Sequence, residues 1–359
     1  MPLWCDKQRP RTLAELDFHP ALTERLEKIA LSPDLPHLLF YGPPGAGKKT
    51  RIMCLLRAIF GPGVEKVRVE RKSFKATSAK TVEITALGSN YHLEMNPSDV
   101  GLYDRVVVQE IIKEIAAAQT LSAAGSDDAR PFKIVVLTEA DQLSKQAQQG
   151  LRRTMEKYAA TCRIILCCES LSKVIEPIRS RCLAIRVPAP TLQEISDSVN
   201  KVARSEGVTI SPVFASNVAQ HSRRNLRRAL LMTEASRVQA GPNSKLEDAT
   251  AIQLPDWERY ISIIAREIAT SQTPQVLLDT RQKLYELLAN CIPPEIILKT
   301  LVAELTRKLD DDIKFQVIHW AAFYQARLVS QGQKAIYHLE AFVAKFLAIY
   351  KEYLVSMFS

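Results

Sequence analysis

Short apolar runs alternate with longer amphipathic stretches along the first half of the chain. The run at 163–168 is too short for a membrane span and is typical of a strand buried inside a sheet. Stretches 104–119 and 144–158 lie between such runs, and their patterns are helical. The pattern therefore predicts a mostly parallel sheet with helices on both faces. The predicted strands are "HLLFY" (37–41), "VEKVRVE" (64–70), "YHLEMN" (91–96), "KIVVLTEAD" (133–141) and "CRIILCCES" (162–170).

Helical patterns alone fill the rest of the chain. Pro188 and Pro190 mark a boundary, and the pattern from Thr191 to about Arg237 fits a small helical domain. The segment that follows mixes Gly, Pro, Asn, Ser and Asp without a sustained apolar stripe, which is typical of a linker. About five helices with broad apolar faces come after it. The predicted divisions are an α/β module (1–188), a small helical domain (189–240), a linker (241–256) and an all-α domain (257–359).

Composition excludes several classes of protein. Of the 359 residues 47% are hydrophobic, but no apolar run approaches the roughly 20 residues that span a bilayer. The charged start predicts a protein of the cytosol or nucleus and not a secreted one. The seven cysteines have irregular spacing and no CxxC pair, which argues against a disulfide framework and a zinc finger. We interpret Cys162, Cys167 and Cys168 as buried apolar residues.

Positive charge is concentrated in one part of the chain. Lys and Arg exceed Asp and Glu by 48 − 39 = 9, and the stretch 145–181 holds eight basic residues against three acidic ones. Such a cluster is a candidate contact surface for a polyanion, although solvated surface is the ordinary interpretation of charge on a helix.

The stretch "YGPPGAGKKT" (41–50) carries the clearest chemistry. Gly42, Gly47 and Lys48 match GxxxxGK, placed after a predicted strand and before a predicted helix. A loop of this kind turns backbone N–H groups toward phosphate, and its lysine adds a point charge. The alternative is a glycine turn with an exposed lysine. The order of strand, loop and helix favours nucleotide binding.

Two ligands for Mg²⁺ are missing from this pattern. Lys49 stands where a Ser or Thr hydroxyl normally meets the metal, and Thr50 cannot substitute, since one residue along a helix rotates the side chain by about 100°. The buried strand that should end in an acidic residue reaches Thr138 instead. We therefore predict a site that holds nucleotide without cleaving it and in which Mg²⁺ is absent or weakly held.

Several motifs together resemble one family. "LTEAD" (137–141) is similar to the Asp-Glu-Ala-Asp strand end of AAA+ proteins, with the first Asp replaced by Thr138. The other motifs are "LWCDKQRP" (3–10), "GKKT" (47–50), "LRRTMEKY" (151–158), "IRSRCLAIRVP" (178–188) and "NLRRAL" (225–230). With these motifs, the chain resembles the small subunits of the clamp loader replication factor C, and among them the type whose P-loop is degenerate.

The resemblance implies a fold and an assembly. The fold is an α/β AAA+ module, a small helical lid and an all-α C-terminal collar. The partners are four other clamp-loader subunits, a ring-shaped sliding clamp and primer-template DNA bound independently of sequence, with no membrane. The expected location is the nucleus, and the expected process is DNA replication and repair.

The resemblance also implies which residues hold the nucleotide. In the family, the N-terminal box, which here is "LWCDKQRP" (3–10) with Arg9 and Pro10, packs beside the adenine. Arg227 matches the family's second sensor, and the alternative for it is a cation on the lid helix without a role in binding. Glu169 stands where the family has an Asn sensor, and its carboxylate would repel a γ-phosphate, so we expect ADP in preference to ATP. The predicted nucleotide-binding residues are Arg9, Pro10, Tyr41, Gly42, Gly45, Ala46, Gly47, Lys48, Lys49, Thr50 and Arg227.

Ser180-Arg181-Cys182 is the most specific of these motifs. In the family its arginine reaches across a subunit boundary to the neighbour's ATP, which makes Arg181 the predicted catalytic residue, acting in trans. A guanidinium fork suits phosphate oxygens, and an arginine finger contributes on the order of 10³ to 10⁵ in rate. A surface cation is the alternative interpretation.

Two further surfaces follow from the family. Lys145, Arg152 and Arg153 are candidates for contact with DNA phosphates, with solvated or intersubunit charge as the alternative. At most one of the two adjacent arginines should face DNA. Val108, Ile111 and Ile112 are candidates for contact with the clamp, with core packing as the alternative.

Three functions compete at this point. The leading hypothesis is a clamp-loader subunit that holds nucleotide, donates an arginine to a neighbouring ATPase site and performs no hydrolysis itself. The others are a self-sufficient AAA+ ATPase that remodels its substrates, and a DNA-binding scaffold with a vestigial P-loop. Turnover by the isolated chain separates the first from the second, and nucleotide released on denaturation argues against the third.

Overall fold

The computed structural model describes residues 2–75, 81–122, 132–159, 161–241, 246–248, 251–307, 309–331 and 334–358. The chain forms two compact units, 1–253 and 254–359. None of the helices built from these described residues is long and apolar enough to cross a membrane.

A sheet of seven strands forms the centre of the first unit. Its order is β2-β3-β4-β5-β6-β1-β7, and the five strands from β4 to β7 in that order run parallel. The predicted parallel sheet is confirmed. The strands are β1 His37–Tyr41, β2 Arg68–Lys75, β3 Thr81–Gly88, β4 His92–Met95, β5 Lys133–Leu137, β6 Cys162–Cys168 and β7 Cys182–Arg186.

One edge of the sheet differs from the prediction. The strand expected at 64–70 begins only at Arg68, because Pro62–Glu65 forms a 3-10 helix. It pairs antiparallel with β3, which in turn pairs antiparallel with β4. Residues 81–86 of β3 alternate polar and apolar, which is a strand signal, and our sequence analysis did not use it.

Helices cover both faces of the sheet. On one face α2 and α3 pack on Leu38, Phe40 and Ile165, and on the other α4 and α5 pack on Val135, Leu137 and Leu166. Their amphipathic patterns explain both layers. The helices that precede the lid in the chain are α1 Trp4–Lys7, α2 Pro20–Leu31, α3 Lys48–Phe60, α4 Asp104–Ser122, α5 Lys145–Lys157 and α6 Glu176–Arg179.

The proposed clamp contact at α4 requires correction. Val108, Ile111 and Ile112 have exposed fractions of 1%, 0% and 1% and belong to the core beneath β5 and β6. A partner cannot reach side chains that the sheet already covers. Core packing, the alternative given for these residues, describes them in this structure.

The helical lid has its own small core. It consists of α7 Leu192–Ser205, α8 Pro212–His221 and α9 Leu226–Ala240. Thr191 and Glu194 form a capping box at the start of α7, which fixes where that helix begins. Trp4 of α1 is buried in the lid core, and its backbone N–H donates to Glu234 Oε2 at 3.1 Å. The N-terminal segment therefore belongs structurally to the lid.

The second unit is helical throughout its described residues. Five helices enclose one apolar core that includes Ile264, Leu301, Val317, Leu339 and Phe346, so the predicted all-α C-terminal domain is confirmed. The helices are α10 Asp256–Thr270, α11 Pro274–Ala289, α12 Pro294–Thr306, α13 Asp311–Gln331 and α14 Ala335–Phe358.

Candidate nucleotide-binding site

The glycine loop between β1 and α3 has the backbone that phosphate binding requires. Gly42, Gly45 and Gly47 have φ values of 154°, 71° and 80°, a region that glycine enters at little cost. A Cβ atom on Gly42 would overlap the Val187 carbonyl oxygen. Gly47 is the N-cap of α3, so the first N–H groups of α3 point into the loop without a side-chain cap.

The lid closes against this loop at one residue. A Cβ atom on Gly45 would overlap the carboxamide of Asn225, the N-cap of α9, which accepts a hydrogen bond from the Arg228 backbone at 3.0 Å. Glycine is therefore required at position 45 both for its backbone conformation and for the approach of the lid. This contact fixes the start of α9 beside the loop and brings Arg227 to the same cleft.

A cleft of about 320 Å³ lies between the loop, the strand ends and the lid, which is the size of a small-molecule site. Eight of the predicted nucleotide-binding residues line it: Arg9, Pro10, Gly45, Gly47, Lys48, Lys49, Thr50 and Arg227. Tyr41, Gly42 and Ala46 lie outside its lining, because Tyr41 is still part of the sheet and Ala46 is buried beneath the loop.

Lys48 is held by the loop itself. Its Nζ donates to the carbonyl oxygens of Gly42 at 2.7 Å and Pro43 at 2.9 Å. A lysine ammonium has three donors on a flexible stem, so it can exchange such neutral acceptors for phosphate oxygens. The cation that the motif supplies is therefore present and positioned in the loop.

The positions that would bind Mg²⁺ have different partners. Lys49 forms an ion pair with Glu94 of β4, and the Thr138 hydroxyl donates to the Met95 carbonyl at 3.2 Å. An ammonium repels a metal, and the neutral hydroxyl of Thr138 lacks the negative charge of the carboxylate that Mg²⁺ prefers at this position. Within the described ranges no group of three or more His, Cys, Asp or Glu residues could hold a metal ion. The residues present do not fit Mg²⁺.

Three acidic residues also line the cleft. Glu139, Asp141 and Glu169 line it, and the Ser98 hydroxyl donates to Glu139 at 3.3 Å. Glu169 is exposed at the end of β6, where its charge faces the cleft. Negative charge at this end opposes a further phosphate group.

The cysteines of β6 are inert thiols. Burial raises the pKa of Cys167 to about 11 and that of Cys168 to about 12. Because the thiolate is the reactive form, neither thiol is activated as a nucleophile near neutral pH. Cys162 is buried as well, so the interpretation of all three as interior residues is confirmed.

Arg181 lies outside this cleft. It follows α6, and its guanidinium donates to Glu156 of α5 at 2.6 Å and to the Pro177 carbonyl at 2.7 Å. The hydrogen bond from Arg181 holds the pKa of the Glu156 carboxyl below its ordinary value. Arg152 also approaches Glu156, at 3.6 Å. The side chain is half-buried and oriented by neighbours, but it does not reach its own chain's cleft.

The basic residues of α5 are at the surface. Lys145, Arg152 and Arg153 are exposed, while the opposite side of the helix packs on the sheet through Leu151 and Met155. An exposed basic face can contact a phosphate backbone. Contact of this face with DNA stays a prediction.

Sequence reasoning missed the contacts of three residues, two of them beside the cleft and one in the core of the lid. Glu94 lies in a strand that the pattern identified, and a charged residue among buried neighbours was a signal that it needed a partner. Asn225 and Trp4 lie in motifs that we quoted, but their contacts join segments far apart in the chain. A local pattern carries no signal for such contacts.

Comparisons with known proteins identify the class first. Residues 18–191 match the family described as "DNA polymerase III, delta subunit", and residues 198–238 match "RCF1/5-like, AAA+ ATPase lid domain". Among solved structures, the fold is similar to that of the "Thermotoga maritima RuvB Holliday junction branch migration motor", with a TM-score of 0.50, 17% identity and coverage of 77% of this chain and 85% of that one. Together with the loop and lid, these matches define a AAA+ module.

The full-length relatives then identify the family. The chain is 53% identical to Replication factor C subunit 3 of Mus musculus over 99% of this chain and 98% of that protein. It is 50% identical to Replication factor C subunit 5 of Oryza sativa subsp. japonica over 99% of both. Residues 257–354 match "Replication factor C subunit 3, C-terminal domain". The chain belongs to the replication factor C family, in the branch of clamp-loader subunits numbered 3 and 5.

Proposed function

We propose that this chain is the subunit of a hetero-pentameric clamp loader that holds nucleotide without hydrolysing it. The observation that carries the proposal is the contrast at the start of α3. The glycine loop and Lys48 keep phosphate-binding geometry, while Lys49 is paired with Glu94 where a metal ligand would stand. Hydrolysis in this class depends on a metal that neutralises charge on the transferring group. A pocket without its metal ligands binds but does not cleave.

ADP is the favoured occupant over ATP. Without Mg²⁺ the charge of a triphosphate is poorly neutralised, and Glu169 adds negative charge at the end of β6. The N-terminal box, with Arg9 and Pro10, supplies the wall for the adenine, and Arg227 supplies a cation from the lid. These charges support a nucleoside diphosphate as the proposed occupant.

Arg181 acts in trans on the neighbouring subunit's ATP in this proposal. Its guanidinium is absent from the lining of its own cleft, which is the geometry that a residue donated to another site must have. Glu156 and the Pro177 carbonyl hold the side chain in a defined orientation, which lowers the entropy cost of positioning it. The planar fork then meets phosphate oxygens as charge develops on them.

The remaining partners follow from the family. The collar at 257–359 assembles with four other subunits, and the loader opens a ring-shaped sliding clamp and places it on primer-template DNA in the nucleus during replication and repair. Lys145 and one of Arg152 and Arg153 contribute to DNA binding through phosphates. We expect that binding to be independent of sequence and to weaken steeply with salt.

Release of bound nucleotide tests the proposal. The full-length chain, purified with an excess of EDTA and then denatured, should release close to one equivalent of nucleotide, and that nucleotide should be ADP. Chromatography of the supernatant identifies it. An empty protein would support the scaffold alternative instead. Steady Mg²⁺-dependent turnover by the isolated chain would support the self-sufficient ATPase.

A further inference from the structure

The ion pair between Lys49 and Glu94 joins a buried acid to a residue that lines the nucleotide cleft. Glu94 is 8% exposed and lies in β4, which pairs with β5, the strand that Thr138 directly follows. A carboxylate at that depth is strongly unfavourable unless a cation or donors compensate it. Lys49 provides that compensation and lines the cleft at the same time. The pair therefore connects the first turn of α3 to the strand ends.

This location is the one that a metal occupies in active proteins of the class. There a hydroxyl from the residue after the loop lysine and an acid at the end of the neighbouring buried strand hold Mg²⁺ beside the phosphates. Here that residue is Lys49, and the strand end is Thr138, whose hydroxyl is bound to the Met95 carbonyl. Both metal ligands are replaced, and a positively charged group remains.

We propose that the Lys49 ammonium, oriented by Glu94, takes the place of the metal, so that the cleft binds ADP without any divalent cation. The inference rests on the proposed function of the cleft as a nucleotide site. An ammonium is a compact charge with three donors, so it can bind a phosphate oxygen while keeping its contact with Glu94. Lys48 supplies the second cation from the loop.

The same pair accounts for a preference between nucleotides. Glu94 neutralises Lys49, so the pair contributes an oriented donor but less net positive charge than a divalent ion. We therefore expect the pair and Lys48 to neutralise the negative charge of two phosphate groups more completely than that of three. The resident nucleotide should therefore bind equally well with and without Mg²⁺, and ATP should gain no advantage over ADP when EDTA is present.

A single substitution should reverse the metal requirement. Lys49→Thr restores a hydroxyl at the metal position and leaves the Glu94 carboxylate without its cation. Hydroxyl, carboxylate and phosphate oxygens are the hard ligands that Mg²⁺ prefers. Lys49→Thr should therefore need Mg²⁺ to bind ADP. Lys49→Arg is the matched control, because it keeps a cation beside Glu94 and should stay indifferent to Mg²⁺.

The experiment titrates a fluorescent N-methylanthraniloyl derivative of ADP into full-length chain stripped of nucleotide, in excess EDTA and in excess Mg²⁺. For the native chain and Lys49→Arg, Kd should agree between the two conditions within about twofold. For Lys49→Thr, Kd in EDTA should be at least about tenfold weaker, and Mg²⁺ should restore it. Circular dichroism melts of all three proteins verify folding.

The outcomes separate the two proposals. If the native chain bound the probe at least about tenfold more weakly in EDTA than in Mg²⁺, the proposal that Lys49 replaces the metal would be wrong. The proposal that the cleft binds nucleotide would be unaffected. If Lys49→Thr bound the probe with the same Kd in EDTA and in Mg²⁺, the proposal that Lys49 replaces the metal would also be wrong. No binding by the native chain in either condition would overturn the proposed function itself. If Lys49→Thr failed to fold, the native chain and Lys49→Arg would decide.

Discussion

The nucleotide cleft differs from the Arg181 edge, which consists of Arg181, Glu156 and Pro177, in the way that each region holds its cations. In the cleft, Lys49 is tied to an almost fully buried acid, and Lys48 is tied to backbone carbonyls of its own loop. At the edge, Arg181 is tied to Glu156, whose side chain is half exposed. An ion pair with an exposed partner is weak and easily exchanged, whereas a buried carboxylate cannot lose its cation cheaply.

The difference indicates what each region is built to do. In the cleft, Lys49 has a buried charged partner in Glu94, as we expect of a site that retains one ligand. The edge has a preoriented guanidinium that can leave a solvent-exposed acid for a stronger acceptor, such as the phosphates of a neighbouring subunit. In our proposal the cleft holds nucleotide and Arg181 acts on a neighbouring subunit, and substitutions in the two regions should therefore have different effects.

The largest effect should come from removing Arg181 in the assembled loader. Arg181→Ala deletes a contact that strengthens as charge develops on the transferring phosphoryl group, so hydrolysis at the neighbouring site should fall by about 10³ or more. Single-turnover rates with saturating clamp and primed DNA measure it. Arg186→Ala, an exposed arginine on β7, is the control and should leave the rate unchanged.

Lys48→Ala in the same complex tests the other half of the contrast. Hydrolysis should change little, because the nucleotide that Lys48 holds is not cleaved. Equal losses from Arg181→Ala and Lys48→Ala, in complexes shown to be intact by gel filtration, would mean that this chain's own cleft takes part in catalysis.

The next largest effect concerns retention of the ligand. Lys48→Ala should weaken ADP binding to the isolated chain by about ten- to a hundredfold, since a charge-assisted hydrogen bond contributes about 1.5–3 kcal/mol. Isothermal titration calorimetry measures it. Lys28→Ala, an exposed lysine paired with Glu24 on α2, is the matched control and should bind ADP like the native chain.

A smaller effect should follow from Gly45→Ala, which tests how tightly the lid meets the loop. The alanine has to keep a positive φ, and its Cβ also has to displace the Asn225 carboxamide. The free energy of unfolding should therefore fall by more than about 2 kcal/mol. Gly207→Ala is the control: its φ is 72° but nothing lies near the added atom, so only the backbone cost of about 1–2 kcal/mol applies.

Chemical denaturation measures both free energies of unfolding. In a double-mutant cycle, Asn225→Ala should recover part of the loss in Gly45→Ala and none of the loss in Gly207→Ala. Equal losses for the two glycines would show that the lid does not press on the loop at Gly45.

The smallest effect is a pKa. Glu156 should titrate below its ordinary value of 4.5, because Arg181 hydrogen-bonds the charged form. A lowered folded-state pKa means that the pair stabilises the fold above the ordinary value and that this contribution disappears as pH falls through the lowered one. Carboxyl NMR titration should show the pKa of Glu156 moving upward in Arg181→Ala. An unchanged pKa would mean that the two groups do not interact in solution.

The sequence predicted the parts of the cleft that come from contiguous residues. The loop from Gly42 to Lys48 follows a buried strand and opens a helix, and a GxxxxGK pattern in that position has few other uses. The replacement of metal ligands at Lys49 and Thr138 was equally readable, because each is one residue in a known place. The parallel strands were readable because buried strands form unbroken apolar runs.

What the sequence did not reveal depends on pairing at a distance. Glu94 and Lys49 are on different elements, and so are Asn225 and Gly45, and only the fold brings each pair together. The apolar stripe of α4 was readable as amphipathic, but a stripe does not state whether it faces a sheet or a partner. Burial of Ile111 beneath the strands resolves that question.

The central claim is that the cleft holds nucleotide and does not cleave it. The most direct test loads the isolated full-length chain with ATP labelled on the γ-phosphate, removes the unbound nucleotide and follows the label over time in the presence of Mg²⁺. The account predicts that the bound label stays in ATP or leaves as intact ATP, with no release of phosphate above the uncatalysed background. Conversion of the bound ATP to ADP and phosphate faster than the uncatalysed background would contradict it.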